Sequence, residues 1–214
     1  MKPLFALLAA AVAAAALAGC ATLPSDAELD QMTARIMHAS FRDQGIAKVD
    51  RLDQDFVQAA CSGGKAPDEA TAARLRTEAM ASVKKPADGQ YLGDWREGEK
   101  LAQSGRGMTW TDASVAPAAN GGNCYNCHQI SKEEISYGTI GPSLYHYGRD
   151  RGITDSSTPQ MQALYECTWT KLYNAHAFVA CSSMPRFGAK GLLDDKQLKH
   201  LMALLLDPNS PVNR

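Results

Sequence analysis

Residues 121–130 read Gly-Gly-Asn-Cys-Tyr-Asn-Cys-His-Gln-Ile, which places Cys124, Cys127 and His128 within five positions. Two thiols at this spacing with an imidazole directly after them suit three chemistries. They can form a redox disulfide, supply half of a zinc site, or fasten a haem through two thioethers while the histidine ligates its iron. With six Cys and five His in 214 residues, such a triplet arises by chance roughly 0.004 times. Coincidence is therefore set aside.

The rest of the chain chooses among the three. A thioredoxin-type pair belongs at a strand-to-helix junction of an α/β fold, and no βαβ pattern surrounds this cluster. Structural zinc takes four ligands, usually from a second close pair; Cys167 and Cys181, with thirteen residues between them, offer only single ligands. Haem attachment fits, with one covalently bound haem c on Cys124 and Cys127 and His128 as proximal ligand. Candidates for the sixth position are His146, His176, Met184 and His200. Met184 lies in a stretch short of other apolar residues, followed by Pro185 and Gly188. That placement resembles the distal methionine loop of class I c-type cytochromes, and His176 is the rival. A thioether favours ferrous iron and raises the potential, whereas a second imidazole lowers it. Pro142 stands where, in those cytochromes, a proline carbonyl accepts a hydrogen bond from the proximal histidine.

The elements that must position these residues read as helices. In "SDAELDQMTARIMHASF", Ser25 and Glu28 have capping-box spacing, and Leu29, Met32, Ile36 and Met37 recur at helical intervals, which predicts a helix from about 26 to 41. Further helices are expected over 50–64, 67–85, 93–105, 158–178 and 193–208, the last stopped by Pro208. No long strand pattern or internal repeat is present, so the fold class is all-α. The first twenty residues have the positive, then apolar, character of an export signal, ending Leu17-Ala18-Gly19-Cys20. The ending resembles the lipobox of bacterial lipoproteins and makes Cys20 the lipidation candidate; an ordinary cleavable signal is the alternative. The expected division is a signal at 1–20, an N-terminal helical extension at 21–90 and a class I cytochrome c-like domain at 91–214. The net charge of −1 implies no nucleic-acid partner.

Five segments, "NCYNCHQI", "YGTIGPSLYHYG", "KLYNAHAF", "CSSMPRFG" and "LMALLLDPNSPVN", together resemble the SoxX family. These are the monohaem c-type cytochrome subunits of the SoxAX complex of bacterial thiosulfate oxidation. The resemblance implies a periplasmic electron-transfer subunit with no catalytic residue of its own. Its expected partners are a SoxA-type haem subunit, where thiosulfate is joined oxidatively to a cysteine of the SoxYZ carrier, and a soluble cytochrome c that receives the electrons. The complex as a whole is an L-cysteine S-thiosulfotransferase. Under this reading Cys124 and Cys127 attach haem, His128 and Met184 ligate iron, and Pro142 supports His128. Tyr125 and Phe187 are candidate apolar docking contacts and Arg186 a polar one; the alternative is that all three pack the haem. The competing classes are a free-standing monohaem electron carrier and a five-coordinate haem enzyme or sensor in which Met184 does not bind. An exported chain with Cys61, Cys167 and Cys181 unassigned is expected to form one disulfide and keep one spare thiol. Cys61–Cys181 is preferred, which staples the extension to the Met184 loop, and Cys167–Cys181 is the rival.

Overall fold

The computed structural model describes residues 23–154 and 158–214. Among these residues the secondary structure is helical, with one isolated bridge between Gln44 and Ala47. The fold is all-α. The predicted export signal and Cys20 lie outside the described residues. The chain divides into compact units after Arg42, and the two are described separately.

In the first unit, α1 spans Asp26–Ser40. Ser25 Oγ accepts from the Glu28 amide at 3.4 Å, and the Glu28 carboxylate accepts from the Ser25 amide at 2.8 Å. The capping box expected from the sequence therefore starts this helix. Leu29, Met32 and Ile36 are exposed along it.

The second unit begins with a short 3-10 turn, Val49–Leu52, and then α2, Phe56–Ser62. The sequence reading has one helix over 50–64. Asp55 interrupts it, because its backbone is extended (φ −70°, ψ 168°) and its side chain accepts from the Gln58 amide at 2.9 Å. An N-cap cannot also be mid-helix. α3, Glu69–Ala81, is capped by Asp68 and buries Ala72, Leu75 and Ala79. α4 spans Trp95–Gln103, α5 Pro159–Tyr173 and α6 Asp195–Leu206. The expected helix over 158–178 stops early, since Asn174 adopts an extended conformation and caps a separate 3-10 turn, Ala175–Ala177.

The core forms where α4 crosses α6. Leu198, Leu201, Met202, Ala203, Leu204, Leu205 and Leu206 are all buried on α6, and each fully buried leucine contributes about 1.5–3 kcal/mol. The crossing is close enough that a β-carbon at Gly98 would strike the carbonyl of His200, so glycine is required there. Trp169 on α5 is buried, packs edge-on against Tyr91, and donates its indole N–H to the Lys84 carbonyl at 2.8 Å. Residues 84–91 are thereby fixed along α5.

The C-terminal segment closes over the core by polar contacts. Ser210 Oγ donates to the Leu204 carbonyl at 2.6 Å, and Asn213 Oδ1 accepts from the amides of Gly148 and Arg149 at 2.9 and 3.1 Å. The His146 amide donates to the Val212 carbonyl at 2.9 Å. The "LLLDPNSPVN" ending is a clasp that caps α6 and secures residues 146–149.

Candidate functional site

The Cys-x-x-Cys-His cluster opens from Asn123, whose left-handed backbone (φ 50°, ψ 36°) turns the chain into a 3-10 turn over Cys124–Asn126. The following segment folds back along it. Gly138 N–H donates to the Tyr125 carbonyl and Gly141 N–H to the Cys127 carbonyl, both at 2.8 Å, and Leu144 N–H donates to the Gln129 carbonyl at 2.7 Å. This backbone lacing sets the Pro142 carbonyl 2.7 Å from His128 Nδ1. A carbonyl only accepts, so in the neutral ring Nδ1 is the protonated nitrogen and Nε2 the one with the lone pair. The same arrangement fixes the tautomer of metal-ligating histidines. A β-carbon at Gly141 would run into the His128 ring, so glycine is what lets the ring lie there.

Cys124 and Cys127 are both free thiols and half-buried. Burial pushes the Cys124 thiol up to about 12, and the neighbouring Cys127 adds to the effect. A thiol-disulfide exchange nucleophile needs the opposite shift. Just beyond the cluster, Ile135 is 95% and Ile140 75% exposed, with Tyr137 and Pro142 also exposed. The half-buried thiols, the Nε2 lone pair and this uncovered apolar surface suit a planar, largely apolar group fastened to the cysteines and ligated by His128.

Met184 is half-buried and packs against the same core that Cys124 packs against. It lines a cleft of about 370 Å³ together with Gln58, Cys61, His176, Cys181 and Arg186; His128, Cys124 and Cys127 are not part of its lining. The Met184 amide donates to Ser182 Oγ at 3.2 Å, and His176 Nε2–H donates to the Ser182 carbonyl at 3.0 Å. His176 Nδ1 is buried without a partner, and burial holds the imidazole below its usual pKa. The other two histidines named with Met184 carry structural bonds. His200 Nδ1 accepts from the Asp94 amide at 2.9 Å, and His146 Nε2 meets the Arg214 carbonyl at 2.7 Å.

A disulfide joins Cys61 to Cys181, with Cα atoms 5.5 Å apart, and Cys167 is free and exposed. Of the two roles open to Tyr125, Phe187 and Arg186, docking contact or interior packing, their burial favours packing. Tyr125 is 7% and Phe187 6% exposed, so both belong to the core, and the Tyr125 hydroxyl donates to Glu99 at 3.0 Å. Burial, assisted by the Glu99 carboxylate, raises the Tyr125 phenol. Arg186 has only 14% of its side chain exposed and pairs with Asp55 at 2.8 Å. The sequence reading missed Asp55, which also meets Lys190 at 2.7 Å. Nothing local marks its role beyond helix capping, because Arg186 lies 131 positions away.

No family model matches the chain. It is 38% identical over 163 residues, 75% of its own length, to an uncharacterized lipoprotein of Aquifex aeolicus (strain VF5), covering 73% of that protein. The chain belongs to that lipoprotein's family. The family assignment leaves the chemistry of the Cys124–His128 cluster to be argued from its residues. No helix among the described residues is long and apolar enough to cross a membrane, and none of them form a cluster of three or more His, Cys, Asp or Glu suited to a metal ion. In a haem site of this kind one histidine and one methionine would ligate the iron, fewer protein ligands than such a cluster has.

Proposed function

We propose that this chain is a monohaem c-type cytochrome that relays electrons as the SoxX-like subunit of a thiosulfate-conjugating complex. The observation that carries the reading is the 2.7 Å contact of His128 Nδ1 with the Pro142 carbonyl, directly beside two free cysteines. Cys124 and Cys127 would hold the haem as thioethers, and His128 Nε2 would ligate its iron. The Pro142 carbonyl keeps the proton on Nδ1 and fixes the ring plane, while Gly141 leaves room for it. Met184 is the candidate for the sixth ligand. When bound, the haem supplies a one-electron couple.

The sulfur chemistry belongs to the partner. Joining a carrier cysteine thiol to thiosulfate forms one S–S bond and releases two electrons and one proton. This chain accepts the electrons singly and passes them to a soluble cytochrome c. Exposed Ile135, Tyr137, Ile140 and Pro142 lie in the segment laced to the attachment cysteines and offer apolar surface there. An export signal, Cys20 and a relative named as a lipoprotein support a periplasmic chain tethered through an acylated Cys20.

The mass of the mature protein tests attachment and acylation together. Reduction of the purified cytochrome by thiosulfate and its sulfur-carrier protein is then followed with and without the larger haem subunit. Reduction that requires the larger subunit is the expected result. Rapid reduction of this chain alone would sink the relay and point to an independent thiosulfate-oxidising enzyme.

A further inference from the structure

Residues 180–190 contain no regular α-helix. Such a loop gains little order from its own backbone and must be held from outside if one of its side chains is to keep a fixed position. The holding points here straddle Met184. Cys181, three residues before it, is bonded to Cys61 at the end of α2. Arg186, two residues after it, donates to Asp55, the residue that caps the start of α2. The same Asp55 Oδ2 takes Lys190 at 2.7 Å. Both ends of one short helix therefore reach the same loop, one on each side of the methionine.

The loop is also held by neighbours closer in sequence. His176 donates to the Ser182 carbonyl, and Ser182 Oγ accepts from the Met184 amide. The Gly188 and Ala189 amides both donate to the Tyr173 carbonyl, at 3.1 and 3.0 Å. Beneath α2, Val57, Ala60 and Cys61 pack on a small apolar cluster of Ala72, Leu75 and Ala180. The helix is thus seated on α3 while it grips the loop. A covalent link meant only to add stability has no need to land beside Met184, nor does an ion pair between partners 131 positions apart.

We propose that α2 is a clamp whose purpose is to position Met184, with Asp55 and Cys61 as positioning residues acting through residues 180–190. The proposal rests on Met184 being an iron ligand and assigns a role to a part of the chain that the electron-relay reading leaves without one. A neutral thioether is a weak ligand, so its occupancy depends on how far the loop is restricted before it binds. The clamp also has a chemical release. A dithiol reductant cleaves the Cys61–Cys181 bond, transferring two electrons and two protons to give two thiols, while the reductant closes to its own disulfide.

The test uses the full haem-loaded protein in three forms: parental, Asp55→Asn, and Cys61→Ser combined with Cys181→Ser. The parental protein is also taken before and after dithiol treatment, which covers the case of a variant that fails to fold. Amide hydrogen exchange is followed in residues 180–190 and in α6, alongside the weak red band that a thioether gives with ferric haem. The expected result is exchange about tenfold faster or more across 180–190 by a local opening that low denaturant does not accelerate, while α6 changes only as far as the global unfolding free energy does, and a weaker thioether band. Unchanged exchange in 180–190 after reduction and in both variants would overturn the clamp. Exchange of 180–190 that proceeds only through the same global opening as α6 would overturn it as well, by showing that the loop has no local hold to lose. A parental protein without the thioether band defeats the Met184 ligand reading instead, and the exchange of 180–190 still decides whether α2 holds the loop.

Discussion

Residues 124–142 are laced by backbone hydrogen bonds between near neighbours in sequence and anchored to the core by Tyr125 and Ile130, whereas residues 180–190 are also held by partners 120 and 131 positions away. The first stretch leaves apolar side chains such as Ile135 and Ile140 in solvent. The second is drawn against the core, with Phe187 buried and Met184 partly so. A site built by local lacing can be assembled early and can wait for a cofactor to cover it. A site built by long-range ties exists only when most of the unit has folded. The two candidate iron ligands therefore depend on different parts of the folding free energy, and perturbations should separate them.

The largest expected effect is on the locally built side. Replacing both Cys124 and Cys127 by serine removes the only two groups in the cluster that can form thioethers, so no covalently attached haem should survive denaturation. Denaturing electrophoresis with haem staining checks this. Retained covalent haem in the double variant would place attachment elsewhere and remove the basis for the comparison.

Next in size is the staple on the other side. Deleting the disulfide with Cys61→Ala and Cys181→Ala frees a chain separation of 120 residues and should cost about 2–5 kcal/mol of unfolding free energy. Urea denaturation monitored by tryptophan fluorescence measures it. Cys167→Ser, at an exposed free thiol, should change stability by less than about 0.5 kcal/mol.

The contrast also explains what could be read from the sequence. The contact of Pro142 with His128 was legible because it depends on spacing within twenty residues. The capping box of α1 and the apolar face of α6 were legible because helix periodicity is local. The break at Asp55 was not seen, since Asp55-x-x-Gln58 reads equally well as helix interior until the side chain is known to turn back on the backbone. Whether Tyr125, Phe187 and Arg186 dock a partner or pack inside was left open for the same reason. Burial and ion pairing are set by α4, α6 and α2, and nothing within a few positions of these residues reports them. Of the long-range ties, counting could anticipate one disulfide among Cys61, Cys167 and Cys181 but not its pairing; the preferred pair, Cys61–Cys181, is the one that forms, and Cys167 is the spare thiol.

A smaller effect is expected at Asp55. Burial by itself would raise this carboxyl, but hydrogen bonds from Lys190, the Gln58 amide and Arg186 overrule it and hold the group well below its ordinary value of 3.8. A carboxyl with a depressed folded-state pKa contributes stability that is fully present above the ordinary value and is lost as the pH falls towards the folded-state one. Asp55→Asn should therefore cost about 1–3 kcal/mol near neutral pH, because it leaves the largely buried Arg186 without its charge partner. The difference from the parental protein should shrink as the pH drops below about 4. Asparagine caps a helix about as well as aspartate, so a pH-independent difference would mean that the ion pairs do not carry the effect.

The finest distinction lies between two adjacent positions, Gly141 and Pro142. A β-carbon at Gly141 meets the His128 ring, so Gly141→Ala must move the imidazole or the lacing strand, at a cost of about 1–3 kcal/mol. Pro142 contributes its carbonyl, which every residue possesses, and its pyrrolidine ring is exposed. Pro142→Ala should keep the Nδ1 hydrogen bond and cost less than about 1 kcal/mol, mostly through the added freedom of the unfolded chain. The Nδ1 proton resonance of His128, slowed in exchange by its carbonyl partner, reads this directly. It should persist in Pro142→Ala and be shifted or lost in Gly141→Ala. Equal loss in both variants would show that the proline ring, and not the carbonyl alone, holds the segment against His128.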